Sequence, residues 1–158
     1  MKSLNRPIEA LERFSQALSI NATVAETWNN RGTVFNDLKR YDDAIIDFNK
    51  AISLQPNYSA AFCNKGKSLA ELRRYDEAFA AYGKALALKP DLTNAWLGRG
   101  NAFYDLKRYG EAIAAYDKAL SLKPDLTNAW LGHGNAFYDL KRYGEATAGL
   151  RQGANYQA

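Results

Sequence analysis

The sequence contains very few of the residues from which reactive or metal-binding centres are built. Cys63 is its only cysteine and His133 its only histidine in 158 residues. One cysteine cannot form an intrachain disulfide, and one cysteine with one histidine cannot complete a closed zinc site. We therefore expect no metal, no cofactor and no disulfide. The missing disulfide fits a reducing, cytoplasmic compartment.

Long apolar runs and low-complexity linkers are also missing. No apolar stretch approaches the roughly 20 residues that a membrane-spanning helix needs, and the N-terminal MKSLNRPIEALERF lacks the apolar core of a secretory signal. The net charge of +4 is a mild excess, of a size that usually serves solubility rather than nucleic-acid binding. We therefore expect neither a membrane nor a nucleic acid as partner.

What the sequence does contain is a repeat. Residues 91–112, DLTNAWLGRGNAFYDLKRYGEA, recur as residues 125–146 with one change, Arg99 to His133, at an offset of 34 residues. A fixed period of this size predicts an array of stacked units that pack mainly on their neighbours. Extending the frame along the chain gives a partial repeat with a second helix only, then four repeats, the last with a degenerate C-terminal helix. Their bounds are 1–24, 25–58, 59–92, 93–126 and 127–158.

Each full unit predicts two helices, because its apolar and small residues follow helical spacing twice. Place 4 of the unit is aromatic and place 8 is glycine, while place 24 is aromatic in the first three units, at Phe48, Tyr82 and Tyr116. A glycine facing an alanine would let two helix axes approach closely, with the aromatic rings filling the gaps around them. The candidate N-caps of the second helices are Asp42, Asp76, Gly110 and Gly144.

This pattern resembles the tetratricopeptide repeat over essentially the whole chain. The resemblance implies an all-α, right-handed superhelical solenoid of antiparallel helix pairs, here with about nine helices. It also implies that the first helix of each pair lines a concave groove that binds a protein or peptide. The repeats look similar to those that precede O-linked N-acetylglucosamine transferases and to their bacterial relatives. No transferase domain is present in this sequence.

The few reactive side chains favour structural roles over catalysis. His133 stands where the preceding repeat has Arg99, so we interpret it as a packing or surface variant rather than a general base. Cys63 follows the aromatic Phe62 and has no neighbour that would lower its pKa. We therefore expect no catalytic residue and no enzyme.

The polar face of the first helices is the informative surface. Places 2, 6, 9 and 13 fall opposite the apolar face and are rich in asparagine. An asparagine amide both donates and accepts, so it can pair with the backbone of an extended peptide. Gly98 and Gly132, also at place 6, are predicted to leave room for that backbone. The predicted groove residues are Asn30, Asn64, Lys67, Asn94, Asn101, Tyr104, Asp105, Asn128, Asn135, Tyr138 and Asp139.

Charge on this face leaves two interpretations open. An acidic residue ends each first helix and a basic pair follows it, as with Asp105 before Lys107 and Arg108. Local pairing and solvation are favoured, and selection of positively charged partners is the alternative. Lys67 is the only basic residue of the predicted floor, which argues against a clamp for an acidic C-terminal tail.

The predicted function is a non-catalytic scaffold that binds an extended peptide or partner segment in the asparagine-rich groove. Two alternatives remain open. One is a regulatory or substrate-recruiting fragment of a larger enzyme. The other is a self-assembly module, a homo-oligomer that pairs through terminal helices, because the sequence begins with a second helix and ends without a polar capping helix.

Overall fold

The computed structural model describes residues 2–142, 145 and 148, with side chains from residue 6 onward. Every regular element in this part of the chain is an α-helix, which confirms the predicted all-α class. The helices are α1 (Lys2–Ile20), α2 (Ala25–Asp37), α3 (Tyr41–Leu54), α4 (Ser59–Glu71), α5 (Tyr75–Leu88), α6 (Thr93–Asp105), α7 (Tyr109–Leu122) and α8 (Thr127–Asp139). The predicted ninth helix lies outside the described residues, apart from Glu145 and Ala148, which are helical.

The chain divides into two compact units, residues 1–88 and 89–158. In the first unit α2 packs on α3, α4 on α5 and α3 on α4, while α1 covers α2. In the second unit α6 packs on α7, α7 on α8, and α6 also meets α8. The two helices of a pair are joined by three residues and still pack along each other, so they run antiparallel. None of the described helices is both long enough and apolar enough to cross a membrane.

Contacts between glycine and aromatic residues hold the helix pairs together. A Cβ added to Gly66 would lie 2.8 Å from the ring of Tyr82, and one added to Gly100 would lie 2.5 Å from the ring of Tyr116. Gly32 meets Phe48 in the same way, at 2.7 Å. The predicted close approach at place 8 is therefore present. Its partner is the aromatic ring itself and not an alanine, because the nearest atoms all belong to the ring.

The turn inside each pair was not foreseen from the sequence. Lys39 has a φ of 59°, and Arg73, Lys107 and Lys141 stand at 58–59°. The N–H of Lys39 donates to Asn36 O and that of Arg40 to Phe35 O, both at 2.9 Å. This is the Schellman arrangement, which closes a helix end through a left-handed residue. Here that residue is lysine or arginine instead of the usual glycine.

Three of the four predicted N-caps of the second helices are wrong. Asp42, Asp76 and Gly110 each lie one residue inside their helix, because α3, α5 and α7 begin at the preceding tyrosine. The N-cap positions of α3 and α7 are Arg40 and Arg108, and neither makes a side-chain capping bond. Gly144 lies outside the described residues. The acidic residues of the first turn still favour the helix, since they face its positive dipole end.

Tryptophans fasten three of the four first helices, α2, α6 and α8, to the loop before them. Trp96 Nε1–H donates to Pro90 O at 3.0 Å and Trp130 Nε1–H to Pro124 O at 2.8 Å. Trp28 makes the same bond to Ala22 O at 2.9 Å. Each indole is half-buried and has a partner for its one polar group.

We expect opposite effects from two Gly→Ala substitutions in the first unit. Gly66→Ala should lower the free energy of unfolding by about 1–3 kcal/mol, because the new methyl overlaps the Tyr82 ring. Gly83→Ala is the matched control, since Gly83 lies within α5 and a Cβ there meets nothing within 4 Å. It should raise the free energy of unfolding by about 0.5–1 kcal/mol through helix propensity. Urea unfolding followed by circular dichroism measures both, and equal effects would contradict the packing argument.

Candidate functional site

Amides of the first unit form a hydrogen-bonded seam between α2 and α4. Asn64 Nδ2 donates to Asn29 Oδ1 at 3.0 Å, and Asn29 Nδ2 donates to Asn30 Oδ1 at 3.4 Å. Ser68 Oγ donates to Asn36 Oδ1 at 2.7 Å. Asn29, Asn36 and Ser68 are buried. The seam satisfies these buried polar groups and ties the two first helices of the unit to each other.

Two of the predicted groove residues therefore take part in internal bonding. Asn30 and Asn64 are half-buried and belong to the seam. Lys67, one turn further along α4, is exposed. Asn29 and Asn36 are buried members of the seam that the sequence pattern does not distinguish from exposed asparagines.

The second unit exposes its asparagines. Asn94 and Asn101 on α6 and Asn128 and Asn135 on α8 are all exposed. The two helices meet each other, and these residues take equivalent places on them. Among the predicted residues, Asp105 and Asp139 are exposed as well, and Tyr138 leaves 63% of its surface accessible. Among the asparagines of the first helices of the pairs, the exposed ones thus all lie in the second unit, on what we call the asparagine face.

Two tyrosines anchor this face. Tyr104 Oη donates to Asp139 Oδ2 at 2.6 Å and so links α6 to α8. This hydrogen bond raises the pKa of Tyr104 to about 12. Tyr116 Oη donates to Asn101 Oδ1 at 2.9 Å, which leaves the amide hydrogens of Asn101 for another acceptor. Burial raises the pKa of Tyr116, so its hydroxyl stays a donor.

Tyr116 also explains a glycine that we had expected to face a ligand. A Cβ added to Gly132 would lie 2.5 Å from Tyr116 Cζ and 2.6 Å from its Oη. Gly132 is therefore required for internal packing of α8 against α7. The expectation that Gly132 leaves room for a ligand backbone is wrong.

The basic residues near the helix ends form local pairs. Arg40 pairs with Asp43 at 2.7 Å and Arg74 with Glu77 at 2.7 Å, each three residues ahead on the next helix. The same pair recurs between Arg108 and Glu111. The sequence favours pairing with the acidic residue that ends the preceding helix, but these arginines pair with the first turn of the following helix instead. Exposed pairs like these contribute little stability.

The two reactive side chains, Cys63 and His133, are both packed among other side chains. Cys63 is buried, and burial raises the pKa of its thiol to about 11, so it is not a ready nucleophile. His133 packs edge-on to Phe137 at 4.7 Å and to Trp130 at 5.8 Å between ring centroids. Its Nε2 lies 3.0 Å from Asp117 Oδ1. No group of three potential metal ligands occurs in the described part of the chain.

Comparison with protein families gives a consistent assignment. Sequence models described as tetratricopeptide repeat match residues 25–58 and residues 63–127. Together these segments cover more than half of the chain. The chain belongs to the tetratricopeptide repeat family. The resemblance predicted from the repeat frame is therefore confirmed, while the finer similarity to transferase-associated repeats stays a prediction.

Solved tetratricopeptide structures share this fold. A crystal structure of MamA has a TM-score of 0.84 at 21% identity and covers 99% of this chain and 91% of its own. The 41-to-end chain of MamA from Desulfovibrio magneticus RS-1 has a TM-score of 0.83 at 22% identity, covering 99% and 89%. The OM64 TPR domain of Arabidopsis has a TM-score of 0.70 at 26% identity, covering 73% and 95%. These values confirm a TPR-like solenoid class.

A sequence comparison with curated proteins found no match. The assignment therefore rests on the family models and on the fold. Tetratricopeptide repeats are protein–protein interaction scaffolds that are typically non-catalytic, and this chain has that architecture.

One buried ion pair in the first tetratricopeptide repeat was not predicted from the sequence. Arg31 Nε donates to Asp47 Oδ2 at 2.7 Å and its Nη2 to Asp47 Oδ1 at 2.8 Å. Asp47 is 1% exposed. The guanidinium also lies 4.8 Å from the centroid of the Trp28 ring and 5.7 Å from that of Phe35. The pair could have been suspected because a carboxylate on the apolar face of a helix needs a partner.

Breaking this pair should be costly. We expect Asp47→Ala to lower the free energy of unfolding by about 3 kcal/mol, because Arg31 loses both bonds while three-quarters or more of its side chain stays covered. Asp43→Ala is the control, because Asp43 pairs with Arg40 while both are about half exposed. It should cost at most about 1 kcal/mol. Urea unfolding measures both, and similar losses would show that burial does not govern the pair.

His133 should make the stability of the chain depend on pH. Burial lowers its pKa, against the opposing effect of Asp117. The unfolded chain therefore takes up the proton first as the pH falls. The stability from neutral His133 is complete above the ordinary pKa of 6.5 and is lost as the pH falls from there toward the folded-state pKa. Urea unfolding at several pH values should show a smaller decline in His133→Gln, and an unchanged decline would refute this assignment.

Proposed function

We propose that an extended segment of a protein partner docks on the asparagine face of the second unit. The observation that carries this proposal is the exposure of Asn94, Asn101, Asn128 and Asn135 on two adjacent helices. Apart from the Asn101 oxygen, which accepts from Tyr116, no internal hydrogen bond of these four amides is seen among the described residues. It can accept from a peptide N–H and donate to a peptide C=O, so it holds a backbone without reading its side chains.

The tyrosines support this proposal by fixing the two helices on either side of the face. The bond from Tyr104 to Asp139 joins α6 to α8, and Tyr116 packs against Gly100 of α6 and Gly132 of α8. A face held in this way loses little freedom when a peptide binds, which favours affinity. Asn101 is also oriented, because its oxygen already accepts from Tyr116.

Charge suggests which segments the face would prefer. Asp105 and Asp139 place two carboxylates at its edge, and Tyr138 offers an exposed aromatic ring nearby. A segment with lysine or arginine flanking a backbone of ordinary composition would complement these groups. In the first unit, Asn30, Asn64 and Lys67 are proposed to contribute differently. The two asparagines stiffen the seam, and the exposed Lys67 is available to a partner segment that binds the first unit.

We expect Asn128→Ala with Asn135→Ala to weaken binding of a partner segment about tenfold or more, from two lost hydrogen bonds of about 1 kcal/mol each. Neither residue takes part in the bonds of Tyr104 or Tyr116, so the fold should be unchanged. The partner segment would first be mapped by photo-crosslinking from position 138 in a pull-down. Its affinity for each variant is then measured by calorimetry with a synthetic peptide.

The matched control is Asn49→Ala with Asn57→Ala, which removes two exposed amides from other elements. This control should bind as the parent chain does. Equal affinity of the Asn128/Asn135 variant and the parent would reject the asparagine face. Light scattering over the same concentrations measures self-association and so separates it from peptide binding. Self-association of the chain stays a prediction.

A further inference from the structure

The place of Arg31 holds an arginine, a lysine or a histidine in the four repeats: Arg31, Lys65, Arg99 and His133. In the first repeat Arg31 binds the carboxylate of Asp47 between the rings of Trp28 and Phe35. In the fourth, His133 reaches Asp117. In the third, Arg99 lies between the rings of Trp96 and Phe103, at 5.2 and 5.7 Å from their centroids. This aromatic setting matches that of Arg31 closely.

The third repeat lacks the carboxylate. The residue that corresponds to Asp47 is Ala115, sixteen residues after Arg99 as Asp47 is after Arg31. Arg99 Nε is buried and has no hydrogen-bond partner, whereas Arg31 Nε donates to Asp47 at 2.7 Å. A buried donor without an acceptor costs free energy that an incoming acceptor would recover. The repeat thus keeps the arginine and its rings but not the anion.

An open pocket of about 300 Å³ lies at this position. Trp96, Phe103 and Ala115 give it apolar walls, Arg99 lies in its lining, and Lys118 adds a second positive charge. Glu111 also borders it, but the hydrogen bonds from Arg108 engage that carboxylate. The pocket lies where α6 packs on α7, on a different side of α6 from the asparagine face.

We propose that this pocket binds an acidic side chain of a protein partner, whose carboxylate takes the place that Asp47 holds in the first repeat. Its apolar walls suit the methylenes of a glutamate, and Arg99 offers the geometry of an arginine–carboxylate pair. The nearby Glu111 disfavours a doubly charged phosphate. This site is separate from the asparagine face, so each can fail without the other.

The test uses the tripeptide acetyl-Gly-Glu-Gly-amide as probe and the whole chain labelled with ¹⁵N. The Nε–Hε signal of Arg99 should shift and saturate as the peptide is added, at an affinity on the order of millimolar. The Arg31 signal is the internal control and should not move, because Asp47 already occupies its fork. Acetyl-Gly-Gln-Gly-amide, which is neutral, should leave both signals unchanged.

Two variants make the test specific. Ala115→Asp restores an internal carboxylate, so it should weaken binding of the glutamate peptide at least tenfold. It should also raise the urea midpoint of unfolding, but only when Arg99 is present. If Ala115→Asp loses helical signal, Arg99→Leu carries the test alone and should abolish binding. The proposal would be overturned by an unmoved Arg99 signal or by binding that is retained in Arg99→Leu. It would also be overturned by a stronger shift with inorganic phosphate, or with acetyl-Gly-Gly-Gly that carries a free C-terminal carboxylate.

Discussion

The contact of an aromatic ring with a bare glycine backbone sets the distance between the two helices in each of the first three pairs. A Cβ at Gly32, Gly66 or Gly100 would lie 2.5–2.8 Å from the facing ring, closer than real Cβ contacts come. The ring therefore fixes which face of the first helix is inside. Polar residues occupy the opposite face. The position of the asparagines on each first helix therefore follows from the position of the glycines and rings.

The residue types at matching places decide how much the asparagines are used internally. The seam of the first unit is built on Asn29, Asn36 and Asn64, whereas the second unit has Leu97, Tyr104 and Gly132 at the corresponding places. Gly132 lies against the hydroxyl of Tyr116, which also donates to Asn101. The exposed asparagines of the second unit stand at other places of the repeat. The first unit therefore bonds amides to one another, and the second unit leaves them accessible.

The cationic place between two rings shows how one frame can carry different electrostatics. The charge of Arg31 is neutralised by a buried carboxylate. His133 favours its neutral form, because burial lowers its pKa. Arg99 keeps its charge with an unsatisfied Nε beside an open pocket. Desolvation makes an unpaired cation costly, so the third repeat gives up some stability at this place, which a partner's anion would restore.

The sequence by itself determined the period, the helix pairs, the all-α class and the polar side of each first helix, because helical spacing and repetition are local properties of the chain. The tertiary structure alone decided that Asn29, Asn36 and Ser68 are buried. It alone decided that Gly132 packs against the Tyr116 ring and that Lys39 adopts a positive φ. It also decided that Arg31 finds Asp47 while Arg99 finds no carboxylate. These outcomes depend on neighbours one or two helices away. Periodicity gives the face on which a residue lies, but burial depth and partners are fixed only when the helices pack.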